Sequence, residues 1–271
     1  MQSKKYRQID TMKKLKLTKS PLITVLAQVK FSPVLKIESF VPDIQEALRR
    51  DGYPRFEEEM SQELKLVAGA EAVPQVRNLK RWIFSTPDKK HAATLTDHFV
   101  ALETAQYDVF ETFAEQFGKL LDLVEKKVDL TVCERVGLRY INLLRKIDRS
   151  ESYEHLRPEM RGLTQTNFPD SQPTINSSIS QTTTPYGRIL VRAVQVNDGT
   201  FLPPELVRTK LDIMPTVEKG EIVTVLDIDH NGEFLGNFKS PQLLERLQKL
   251  HDYTDLAFRA AVTKEAISLW T

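Results

Sequence analysis

The chain has 271 residues, 41% of them apolar and 28% charged, with a formal net charge of +1. That length and apolar content suit one large domain or two joined halves with a sizeable core. Near-neutrality excludes whole-molecule attraction to nucleic acid or anionic lipid and leaves only local patches for such contacts.

Residues 1–20, MQSKKYRQIDTMKKLKLTKS, hold seven Lys or Arg and lack the apolar centre of a secretory signal. They are expected to be a solvated, flexible basic tail; a nucleic-acid or membrane-surface arm is the sharper alternative. Met12 offers a second start, so the first eleven residues carry no expected role.

An N-terminal α+β half is expected over 21–147. In LITVLAQVKF, Ile23, Val25, Ala27, Val29 and Phe31 alternate with Thr24, Gln28 and Lys30, the pattern of a strand that Pro33 closes. A helix is predicted from Val41 or Pro42 to Arg50, stopped by DGYP. Acidic residues 55–62 are expected to be exposed. Strands follow over Glu63–Val67, Gln75–Thr86, Ala92–Thr96 and Phe99–Glu103, with TPDKK and TDH as turns. Trp82 and Phe84 share a core face. From Tyr107 to Val124, Phe110, Phe113, Phe117, Leu120 and Leu121 recur at helical spacing. A strand of roughly 131–146 comes next.

Polar residues and prolines mark 148–173 as a connector. The C-terminal α+β half, 174–271, shows strands over Thr174–Thr183, Arg188–Asn197 and Glu221–Asp229. Then comes a long helix from Ser240, expected to act as N-cap with Pro241 at the first position, to about 262, and a short helix capped by Thr263. Strands followed by one long helix, twice, predict the α+β class: mostly antiparallel sheet packed by long helices. The two halves are either a duplicated strands-then-helix unit or parts of one continuous domain.

Among sites, the sequence holds no G-x-x-x-x-G-K-[ST], G-x-G-x-x-G, H-E-x-x-H or G-x-S-x-G. Five scattered histidines include no close pair, and the single cysteine, Cys133, allows neither an internal disulfide nor a thiolate zinc site. No cofactor or metal is expected. Cys133 reads as an inert packed thiol. The cysteine usage points to the cytoplasm, and no apolar run is long enough to span a membrane. DIDHNG, Asp227–Gly232, imitates the start of a calcium loop, but the twelfth position is Phe238, and an Asn-Gly hairpin turn is the better account.

The arginines are the feature that points to a ligand. In CERVGLRYIN, alternation puts Cys133, Arg135, Gly137, Arg139 and Ile141 on one side, and Val136, Leu138, Tyr140 and Asn142 on the other. Arg135 and Arg139 lie about 13 Å apart along the strand, with Gly137 leaving room between them. Arg188 and Arg192 repeat the spacing in GRILVRAVQV. Guanidinium groups suit bidentate binding of carboxylate or phosphate, so these five residues form the candidate anion cleft. The alternative is a solvated face whose arginines pair with nearby acids.

SPLITVLAQVKFSP (Ser20–Pro33), the helix YDVFETFAEQF, ERVGLRYIN (Glu134–Asn142) and LHDYTDLAFRAAVT (Leu250–Thr263) together resemble a sporadically distributed, uncharacterised family of bacterial and archaeal proteins. The resemblance covers most of the chain. It carries no activity, cofactor or catalytic residue across; it implies an accessory role in a mobile-element, toxin-control or phage-defence system. The expected function is therefore a non-catalytic binding or interaction module with a protein partner, a homodimer being one option. The alternative is an enzyme or sensor holding a phosphorylated or nucleotide-like small molecule at the arginines. Nucleic acid is the weaker partner, because the charge is neutral overall and no aromatics cluster on a basic strand face.

Overall fold

A computed structural model describes residues 17–66, 74–162, 175–197, 211–212 and 217–271. The expectations for residues 1–16, for 163–174 and for Val67 fall outside them. Nine strands form one antiparallel sheet: β1 (Leu22–Phe31), β2 (Arg55–Leu66), β3 (Pro74–Ser85), β4 (His91–Leu95), β5 (Phe99–Thr104), β6 (Val132–Leu144), β7 (Ile175–Thr184), β8 (Gly187–Asn197) and β9 (Ile222–Asn237). Their order is β2-β3-β4-β5-β1-β6-β9-β8-β7. Among the described residues four α-helices complete the fold: α1 (Ile37–Arg50), α2 (Phe110–Val128), α3 (Ser240–Ala261) and α4 (Lys264–Trp270).

The order shows the same plan in both halves, with one strand more in the first. β1 precedes a meander whose last strand, β5, returns to pair with β1, and α2 follows. β6 precedes a meander whose last strand, β9, returns to pair with β6, and α3 follows. β1 and β6 pair antiparallel and join the two units. The α+β class holds, and the strands-then-helix order recurs, with five strands and the extra helix α1 in the first unit and four strands in the second.

Alternation in β1 decides which face the helices cover. Val25, Ala27, Val29 and Phe31 are fully buried in one cluster with Ile44 and Leu48 of α1, Phe113, Phe117 and Leu121 of α2, and Leu243, Leu247 and Leu250 of α3. Each Val, Leu, Ile or Phe among them contributes about 1.5–3 kcal/mol on removal from water. Trp82 and Phe84 of β3 join this cluster, as expected. The opposite face carries no helix among the described residues. At one end of it Leu211 and Val217 form a smaller apolar cluster with Ile83, Ala92, Ile141, Leu143, Val223 and Val225. Gln28, Arg135, Arg139, Asp227 and Asp229 share this face further along the sheet.

Several local expectations are corrected. Residues 55–62 belong to β2, which pairs with β3 along its whole length; an edge strand need not bury its side chains, so its acids do not oppose a strand. α1 begins at Ile37, a buried residue, and Pro42 lies inside the helix. α2 begins at Phe110, with Val109 as N-cap. Lys239 is the N-cap of α3, and the buried Ser240 hydroxyl makes no hydrogen bond among the described residues. Thr263 does cap α4, accepting from the Ala266 N–H at 3.1 Å.

The Asn231–Gly232 pair is not a hairpin turn. β9 runs on through it to Asn237. A Cβ on Gly232 would lie 2.1 Å from the Tyr186 carbonyl oxygen, and one on Gly187 2.2 Å from the Asn231 carbonyl oxygen. The glycines are there because two backbones touch, a use of strand glycine that resembles a turn signal in sequence.

Candidate functional site

The site is built from the strand faces that point away from the helices. Register aligns Thr94 of β4, Ala101 of β5, Gln28 of β1, Gly137 of β6, Asn231 of β9 and Arg188 of β8 in one row across the sheet. The row is low in the middle because Ala101 and Gly137 contribute little or no side chain. Its members Thr94, Ala101, Gln28 and Gly137 floor a cleft of about 240 Å³ whose lining also includes Arg81, Phe99, Glu103, Arg135, Arg139 and Asp229; Asn231 and Arg188 continue the row beyond that lining.

A bulge in β6 between Cys133 and Arg135 changes the expected alternation. Cys133 turns to the helix side and is buried there with Phe31 and Val136. Burial pushes its thiol up to about 12, so it stays protonated and unreactive. Arg135, Gly137 and Arg139 keep the opposite face. On the helix side the buried Tyr140 hydroxyl meets the Tyr107 hydroxyl at 3.2 Å and His251 Nδ1 at 3.0 Å. Asn142 donates to the Leu226 carbonyl at 3.2 Å. Both are satisfied core groups.

The four arginines divide into two kinds. Arg139 donates from Nε and Nη2 to the two carboxylate oxygens of Asp227, at 2.7 and 2.9 Å, and Arg192 Nη2 donates to the same carboxylate at 2.9 Å. Asp227 is only 2% exposed, so this three-residue network ties β6, β9 and β8 together. Arg135 is different. Its Nε donates to the Asn231 amide oxygen at 3.2 Å, and Asn231 in turn donates to Asp229 at 3.0 Å. Among the described residues no carboxylate forms an ion pair with Arg135. Burial lowers its pKa, Asp229 works against that at longer range, and Arg188 adds to it by repulsion. Arg188, exposed opposite Asn231, makes no ion pair among the described residues either.

Two cations held near one another beside an amide, above a residue without a side chain, make a cradle for an anion. Gly137 places no side chain on the floor, and a Cβ there would come within a tight 3.3 Å of Asn231 Cβ. Arg81 stands on β3 at the far wall. Its Nη1 is 3.9 Å from Glu59, and its buried Nε makes no hydrogen bond among the described residues. Arg81 and Glu103 were not singled out from the sequence. The signal was available for Arg81, whose position next to Trp82 puts it on the face opposite the core.

No group of three or more His, Cys, Asp or Glu stands together as a metal site among the described residues. No helix there is long and apolar enough to cross a membrane. Compared with protein-family models, with curated proteins and with solved structures, the chain matches none.

Proposed function

We propose that this protein is a binding module whose sheet face opposite helices α1, α2 and α3 holds a phosphorylated or nucleotide-like small molecule, its anion seated between Arg135 and Arg188 over Gly137. The observation that carries the reading is Arg135: a half-buried guanidinium in a cleft, held by one amide oxygen and repelled by Arg188, with no carboxylate partner among the described residues. A bound anion relieves both the desolvation and the repulsion. Gln28, Thr94, Glu103 and Asp229 add neutral and acidic groups along the cleft, able to accept from hydroxyls or a base. The family resemblance supports an accessory role for such a module.

Thermal shift and calorimetry with inorganic phosphate, pyrophosphate, ATP and adenosine test this. A ligand at one hundred times its Kd adds about 2.7 kcal/mol, several degrees of Tm in a chain this size. Arg135→Gln is expected to weaken phosphate-bearing ligands about tenfold to a hundredfold, the worth of one charged hydrogen-bond pair. Arg49→Gln, on the solvent side of α1, leaves binding unchanged. If none of the phosphate-bearing probes stabilises the parent protein, the reading fails.

A further inference from the structure

We infer that β7 is the docking edge for a second copy of this chain, the two β7 strands pairing antiparallel across a two-fold axis to make one continuous sheet. Among the described residues the sheet ends at β2 and β7. β2 carries Arg55, Glu57, Glu58 and Glu59 along its exposed edge, the kind of charge that blocks edge-to-edge association. β7, INSSISQTTT, has no charged residue and no proline. It pairs with β8 over ten residues without a register shift, so no bulge twists it away. Among the described residues its backbone bonds to β8 alone, which leaves the outer row of N–H and C=O groups unpaired.

The side chains fit the same occupant. Ile175 and Ile179, 61% and 65% exposed, share the helix-free face with Ser177 between them. In an isologous contact every residue meets its own mate or a symmetry-related one. A charged strand paired this way opposes like charges, whereas an uncharged one does not. Centred on Ile179, the pairing sets Ile179 against its own copy and Ile175 against Thr183. These are apolar and β-branched cross-strand pairs of the favourable kind. One ladder alone falls short of the roughly 800 Å² per partner of a stable interface. An apolar groove of about 480 Å³ adjoins β7 on the helix side, lined by Pro185, Ile189, Val191, Tyr253, Leu256 and Ala257, and extends the surface.

Sedimentation of the full chain from micromolar to hundred-micromolar concentration tests the inference. The expected result is a reversible dimer of twice 31.1 kDa. Ile179→Lys faces two ammonium groups across the axis and raises the dissociation constant at least tenfold, about 1.4 kcal/mol or more. Met60→Lys, on the other edge, leaves it unchanged. Hydrogen exchange supplies a second reading that does not depend on a variant: amides of β7 slow as concentration rises. A parent chain that stays monomeric throughout overturns the inference, and so does a dimer that Ile179→Lys leaves intact or that Met60→Lys dissociates.

Discussion

Asp227 does at residue scale what the arginines of this face cannot do alone. It sits 2% exposed between two guanidinium groups, and its carboxylate accepts three charged hydrogen bonds. Removing one member of a buried ionic cluster strands the others without compensation. Asp227→Ala is therefore expected to lower the unfolding free energy by about 2–3 kcal/mol, the partial exposure of Arg139 and Arg192 keeping the loss below that of a dry pair. Urea denaturation measures it, and a variant within half a kcal/mol of the parent would falsify a structural role for the network. Alternation in CERVGLRYIN brought Arg135, Gly137 and Arg139 to one face correctly. It could not separate Arg139 from Arg135, because Asp227 lies 88 positions away and only the β6–β9 register brings it beside one of them.

At the scale of elements, histidine burial links strand to helix. His230 on β9 donates from Nδ1 to the Leu250 carbonyl of α3 at 3.0 Å, which leaves Nε2 to accept from the Thr184 hydroxyl at 2.9 Å. Burial pushes the imidazoles of His230, His155 and His91 below their ordinary value. The folded chain thus favours neutral rings, while the unfolded chain takes up protons from about pH 6.5 downward. Their contribution is complete above that pH and is lost as pH falls through the depressed folded values. Urea midpoints are expected to drop between pH 7.5 and 5.5, and equal midpoints across that range would contradict it. The elements themselves were largely legible. Long periodic segments such as α2 and β1 announce themselves, but β2 and the middle of β9 did not. An edge strand tolerates acids on both faces, and a glycine at a backbone crossing looks like a glycine at a turn.

For the whole molecule, the β1–β6 pairing decides cooperativity. The two units share a sheet and one cluster of buried side chains drawn from α1, α2 and α3, so neither can lose its packing without exposing the other. Unfolding is expected to be a single transition. Trp82 reports the first unit and Trp270 the second, both nearly fully buried. Fluorescence of Trp82→Phe and Trp270→Phe should then give curves that coincide with far-UV circular dichroism; two separated midpoints would show that the units fold independently.

The sequence by itself determined the class of fold, the strands-then-helix grammar of each half, the buried face of β1, α2 and the middle of β6, and the strand face that carries the arginines. These follow from periodicity and turn chemistry, which act over a few neighbouring residues. Only the tertiary structure decided which arginines are neutralised, which strand forms each edge, and that the row from Thr94 to Arg188 is continuous. Those outcomes depend on register between strands far apart in the chain. Shifting any one of them by a single residue would turn its side chains to the other face.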